Sequence, residues 1–182
     1  GMKAGELTVE STLTGDGGAG RGYVAALLGA RPTAQIIAAR LKDGRLLLRR
    51  VQATGAGLKL GATGERTLLG GLSFKGDAEM ANLQAARIGA KGHATATWSA
   101  SQGGRGKPWV FSVDAKGAGF ATGLAEFDRL LGASPRLRGK AEIARGVVAV
   151  AEARLEGALG AARTAGQIGP AGSNRRWFCH SS

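Results

Sequence analysis

Apolar and polar residues alternate one by one along most of this chain, the period of strands that bury a single side. In residues 6–14, Leu7, Val9 and Leu13 take one face, and Glu6, Thr8, Glu10, Thr12 and Thr14 take the other. The same period places strands at Thr33 to Leu41 and Leu46 to Ala53, joined by Asp43-Gly44, a pair that favours a hairpin turn. Shorter stretches follow at Leu58 and Leu60 and at Leu72 and Phe74. The alternation is cleanest where Ala94, Ala96, Trp98 and Ala100 oppose Thr95, Thr97, Ser99 and Ser101. It continues where Trp109, Phe111, Val113 and Ala115 oppose Val110, Ser112, Asp114 and Lys116. Leu137 to Ile143 and Val147 to Leu155 complete the set, the last with Val147, Ala149, Ala151, Ala153 and Leu155 expected on its apolar side.

Two segments depart from period two. Tyr23 to Leu28 reads as a short helix ended by Gly29 and Pro32, and Thr122 to Leu131 as a second, with Leu124, Phe127 and Leu131 on one face. Amphipathic strands joined by short turns form an antiparallel sheet with one wet face. Two short helices cannot cover about ten strands, so the sheet must close, fold over, or lie against something apolar that is not protein. Folding over leaves a long groove lined by Leu, Val, Ile and Ala. The expected fold is all-β: a repetitive antiparallel sheet curved into a groove, taco-like or solenoid-like, with two short helices.

Part of the chain is written twice. Leu27-Leu28-Gly29 with Pro32, then Gly44, Gly55 and Gly64, returns as Leu130-Leu131-Gly132 with Pro135, then Gly146, Gly157 and Gly166. The offset is 103 residues for the first group and 102 for the glycines, while the residues between mostly differ. Backbone geometry is what repeats, and a unit that repeats its bends is a module stacked on its own copy. The organisation this predicts is a first repeat unit over 5–120 that opens with the end of a preceding strand, the start of a second, truncated unit over 121–170, and a disordered tail over 171–182.

Composition fits thin layers better than one deep core, because apolar residues make up 43% of the chain but only three are Trp, one Tyr and five Phe. The net charge of +12 first points to nucleic acid or an anionic membrane. Its basic residues are spread evenly and occupy the polar turn of the alternation, however, rather than clustering among aromatic stacking platforms. No nucleic-acid partner is expected. The single cysteine, Cys179, can form no internal disulfide, and no apolar run approaches the ~18 residues of a membrane-spanning helix. An export signal or anchor, if the natural protein carries one, is expected outside this sequence.

Phe127-Asp128-Arg129-Leu130-Leu131-Gly132 with Pro135, Leu137-Arg138-Gly139 and Arg145-Gly146-Val147-Val148 resemble the C-terminal region of the TamB family, within the AsmA-like superfamily. Ala26-Leu27-Leu28-Gly29 with Pro32 and Asp43-Gly44-Arg45-Leu46-Leu47-Leu48 carry the same phrasing, and the likeness spans residues 5 to 170. The resemblance implies a β-taco whose concave apolar face reaches through the periplasm from an inner-membrane anchor. It also implies phospholipid movement between membranes, outer-membrane protein assembly, and work with an Omp85-type barrel. The anchor and the family's barrel-meeting domain are not expected in this chain, so the barrel contact is not carried over. The expected partner is the phospholipid acyl chain. The expected lining of its groove is Leu7, Val9, Leu13, Trp98, Trp109, Phe111, Val113, Val147 and Leu155. A structural spacer, solenoid-like or adhesin-like with its apolar face sealed, is the alternative.

Other chemistry is poorly supported by the sequence. Gly15-Asp16-Gly17-Gly18-Ala19-Gly20 matches the spacing of a dinucleotide-binding turn, with Asp43 further on. The strand before it carries Glu6, Thr8, Glu10 and Thr12, where a central parallel strand is apolar on both faces. A glycine-rich turn is the better reading. His93 and His180 lack neighbours at metal-ligand spacing, and Cys179 beside His180 is not catalytic geometry. Glu142, Glu152 and Glu156 occupy wet strand positions. No metal, no cofactor and no enzymatic activity are expected.

Overall fold

A computed structural model describes residues 2–3, 5–16, 23–81, 83–85, 87, 89–169 and 176–181. They form β1 (Met2–Lys3), β2 (Glu6–Thr14), α1 (Tyr23–Leu28), β3 (Thr33–Arg40), β4 (Leu46–Thr54), β5 (Leu58–Arg66) and β6 (Leu72–Met80). A single 3-10 turn at Leu83–Ala85 precedes β7 (Lys91–Gln102) and β8 (Trp109–Ala121). After α2 (Ala125–Leu131) come β9 (Arg136–Ala144), β10 (Val147–Gly157), β11 (Gly160–Ile168) and β12 (Arg176–Ser181). All twelve strands belong to one antiparallel sheet whose spatial order is their order in sequence. The all-β expectation and the two short helices stand, and the sheet is open.

Antiparallel order sorts the connections by end. Both helices and the 3-10 turn follow even-numbered strands and therefore gather at one end of the sheet, whereas the opposite end holds tight turns such as 41–45, 67–71 and 145–146. The two helical connections are built alike. Gly15 N–H donates to Pro32 O at 2.8 Å and Gly117 N–H to Pro135 O at 2.9 Å, closing the strand-to-helix crossing. Leu28 O and Leu27 O then accept from Ala56 and Gly57 in the β4–β5 turn, as Leu131 O and Leu130 O accept from Ala158 and Leu159 in the β10–β11 turn. Each helix is thus stitched through its last carbonyls, which have no partner inside the helix, to the next hairpin. The match of Gly15 to Gly117 carries the repeat back through β8, ahead of the boundary expected at 121.

The repeat also preserves an irregularity invisible to period two. Pairing shifts between Leu48 and Val51 on β4, and between Val150 and Ala153 on β10, at the same offset of 102. A bulge inserts one extra residue, so residues three apart share a face there. Val148, Val150, Ala153 and Leu155 consequently lie on one face of β10, and Val147, paired with Ala144, lies on the other. The assignment of Val147 to the face of Leu155 is therefore corrected. At the C-terminus, Arg176–Ser181 pairs with β11 as a strand where a disordered tail was expected, while 171–175 and 182 lie outside the described residues. Most of the dinucleotide-like turn, 17–20, also lies outside them. The strand before that turn is antiparallel to β3, unlike the central strand of a nucleotide-binding sheet.

A single layer leaves little interior. Among the described residues the buried hydrophobic side chains are Leu27, Ala39, Leu83, Ala90, Ala94 and Ala100. The accessible surface is 12305 Å², whereas a compact protein of 18.4 kDa has about 8,200 Å². A single layer leaves both of its faces uncovered, which raises the area above that of a globule.

Candidate functional site: the apolar face of the sheet

Residues paired across antiparallel strands share a face, so the register lays out that face in rows. One row runs Val9, Ala38, Leu48, Gly64, Phe74, Ala100, Phe111, Ala141, Val150, Gly166. Another runs Leu13, Ala34, Ala53, Leu60, Ala78, Ala96, Ala115, Leu137, Leu155, Ala162. Neither row contains a polar side chain from β2 to β11. Between them lies a third row, apolar from Ile36 on β3 to Ala153 on β10 and containing Trp98 and Val113. The row nearest the tight turns is mixed, with Arg40, Arg66 and Gln102 among Leu46, Leu72 and Trp109. Cations therefore border the apolar face on that side.

Glycines decide how deep the face is. Gly64 is paired with Phe74 and Gly76 with Trp98. A Cβ on Gly64 would lie 2.8 Å from Phe74 Cε1, and one on Gly76 2.7 Å from Trp98 Cζ2. Both rings therefore lie down over bare backbone, an arrangement known to stabilise glycines within sheets. Phe74 stacks on Trp109 with centroids 6.2 Å apart, and Trp109 meets Phe111 at 6.0 Å. Ala100, paired with both Phe74 and Phe111, is buried among them. Beside this aromatic floor is a cavity of about 340 Å³ lined by Trp98, Phe111, Val113, Ala141, Val150 and Ala153. Its volume falls at the lower end of the range for small-molecule sites, about 300–1,000 Å³.

No protein-family model, curated protein or solved structure matches this chain.

Eight of the nine residues expected to line a groove share this face. Trp98, Trp109, Phe111 and Val113 form its centre on β7 and β8, and Leu155 lies toward β11. Leu7, Val9 and Leu13 lie on β2 and are 51%, 56% and 55% exposed. Val147 belongs to the opposite face. Phe74, Val148 and Val150 belong to the apolar face but were absent from the expected set. Alternation with Leu72 was the signal for Phe74, whereas the two valines could be found only by knowing the bulge.

The opposite face is mostly polar and carries several pairs of its own. Arg138 Nε donates to Asp114 Oδ2 at 2.9 Å, Ser99 and Ser112 share a hydrogen bond of 2.7 Å, and Arg49 pairs with Glu6. Among the described residues, no group of three or more His, Cys, Asp and Glu could hold a metal ion, and no helix is long and apolar enough to cross a membrane.

Proposed function

We propose that this chain is a non-enzymatic segment of a periplasmic envelope protein, in the manner of TamB and its AsmA-like relatives, whose apolar sheet face curves into a groove for phospholipid acyl chains. The observation that carries the reading is the set of unbroken apolar rows spanning ten strands with large side chains still open to solvent. An acyl chain loses about 0.8 kcal/mol per methylene exposed to water, so a sixteen-carbon tail crossing unaided meets a barrier on the order of 10 kcal/mol. A continuous apolar path lowers that barrier without chemistry. Arg40 and Arg66 at the border favour phosphate-bearing headgroups on that side. Passage of lipid between the two membranes, support of outer-membrane protein assembly, and cooperation of the full-length protein with an Omp85-type barrel all belong to the proposal.

The test is mass spectrometry of organic extracts from protein purified without detergent. Phospholipid is expected at near-stoichiometric levels, and Val113→Asp, which places a charge beside the cavity, should remove most of it while circular dichroism still reports a sheet. Persistent absence of lipid, together with failure to take up a fluorescent acyl probe, rejects the conduit and leaves a ligand-free spacer.

A further inference from the structure

Two neighbouring turns at the end of the sheet opposite the helices have the same backbone and different corners. In turn 41–45, Leu41 N–H donates to Arg45 O at 2.9 Å and Gly44 N–H to Leu41 O at 3.0 Å. In turn 67–71, Thr67 N–H donates to Gly71 O at 2.9 Å and Gly70 N–H to Thr67 O at 3.0 Å. Gly44 and Gly70 are both left-handed, with φ of 87° and 80°. The corners of the first turn are Lys42 and Asp43, polar residues of the kind turns favour, whereas those of the second are Leu68 and Leu69. The fold therefore does not need leucine there. Leu69 is 93% exposed and Leu68 65%, and Leu68 leans toward Gly44, where an added Cβ would lie 3.4 Å from its Cδ2. The Thr67 hydroxyl accepts from Gly71 N–H at 3.0 Å and holds the tip in place. Charges around the two leucines are nearly all of one sign. Exposed Arg40, Lys42 and Arg45 stand on one side, Arg66 at the base, and Arg105 and Lys107 in the next turn on the other. Asp43, the one acid in these three turns, is already bound to Arg45 at 2.7 Å. The other exposed apolar group away from the sheet faces, Phe127, Leu130 and Leu159 at the helix end, lies among Glu126 and Asp128 as well as Arg129 and lacks a cationic surround.

We propose that this end of the sheet docks on an anionic phospholipid bilayer, with Leu68 and Leu69 inserted among the acyl chains and the surrounding cations on the headgroup phosphates. Apolar insertion or a basic patch alone holds a protein on a bilayer weakly, and the two together give stable attachment. A nucleic acid would use the same cations but leave both leucines in water. Docked in this way, the strands rise from the membrane, and Leu46, Leu72 and Trp109, in the row of the apolar face nearest these turns, meet the headgroup layer. The attachment does not require that face to carry lipid.

Co-sedimentation of the detergent-free protein with vesicles tests this. Binding is expected to mixed phosphatidylglycerol and phosphatidylcholine, and far less to phosphatidylcholine alone. Leu68→Ser with Leu69→Ser, and separately Arg105→Gln with Lys107→Gln, should each weaken it about tenfold or more. The leucine variant should keep whatever phospholipid the wild type carries through purification, so failure of the docking surface and failure of the groove are separate results. Should these variants fail to fold, Leu69→Cys in a Cys179→Ser background, carrying an environment-sensitive fluorophore, gives an independent readout. Its emission should shift to the blue when vesicles are added, whereas the same label on Glu126→Cys should not respond. Several results overturn the proposal: no binding to the anionic vesicles, binding undiminished without the two leucines, binding lost instead with Phe127→Ser and Leu159→Ser, or a blue shift at 126 and not at 69. So does a preference for a DNA oligonucleotide over the vesicles, because the cations then serve a partner that leaves the leucines unused.

Discussion

Glycine in this sheet serves the aromatics beside it. Gly76 leaves room for the Gly61 carbonyl and the Trp98 ring, so Gly76→Ala crowds both and should destabilise the protein by about 1–3 kcal/mol in urea unfolding. Gly103, where an added Cβ would meet nothing within 4 Å and the backbone is not left-handed, should accept alanine within about 0.5 kcal/mol. Equal effects at the two positions would remove the case for close packing over Gly76. A second residue-scale feature is Asp128, whose carboxylate accepts from the Thr122 hydroxyl at 2.7 Å and from the Thr122 and Gly123 N–H groups, at 2.5 and 3.2 Å. The Thr122 hydroxyl comes first among the bonds that hold its pKa below the ordinary 3.8. A lowered carboxylate pKa stabilises the fold above the unfolded value and ceases to do so as pH falls through the folded one. The stability difference between wild type and Asp128→Asn should therefore be constant at neutral pH and shrink below about pH 4. A difference that is flat down to acid unfolding would show that these bonds do not distinguish the charged form.

At the scale of the element, β10 shows where strict alternation fails. Val147 and Val148 look interchangeable in sequence, yet the bulge at Ala151 sends them to opposite faces from those that counting back from Leu155 assigns. Val148→Asp puts a charge on the apolar face and should cost more than about 1 kcal/mol, whereas Val147→Asp should stay within about 0.5. Urea midpoints decide between them, and the reverse order would restore the unbroken period. Most strands were legible because Leu, Val, Phe and Trp alternate with Thr, Ser and Lys, a pattern that fixes the face as well as the type. Tyr23–Leu28 was legible because Gly29 and Pro32 terminate it. In contrast, β11 offers mainly Ala, Gly and Thr, whose hydrophobic contrast is too small to mark a face, and it takes its place from the Gly157–Gly160 turn instead. The bulges escaped for another reason. They are set by cross-strand pairing, which one strand's sequence does not contain.

For the whole molecule, strand order equal to chain order means that each strand is supported mainly by its sequence neighbours. Stability in such an array is a sum of local and nearest-neighbour contributions rather than one shared core. Hydrogen exchange read by mass spectrometry should show the strongest protection in β7 and β8, the longest strands at 12 and 13 residues, with a decline toward β2 and β11. Uniform protection across the sheet would instead indicate a single cooperative unit. The apolar face was legible at this scale from the sequence alone, because two helices could never have covered it. Its aromatic centre was legible only in part, since the stacking of Phe74 on Trp109 joins residues 35 positions apart.

The period of the repeat spans six strands, from β2 to β8. Six is even, so every added module starts in the same direction as the last, with its helix at the same end and its oily side turned the same way. An odd count would reverse the strand direction of each successive copy, so its helices and bordering cations would alternate between the two ends of the sheet. Duplication of this unit can therefore lengthen the protein by whole modules without ever reversing what it presents.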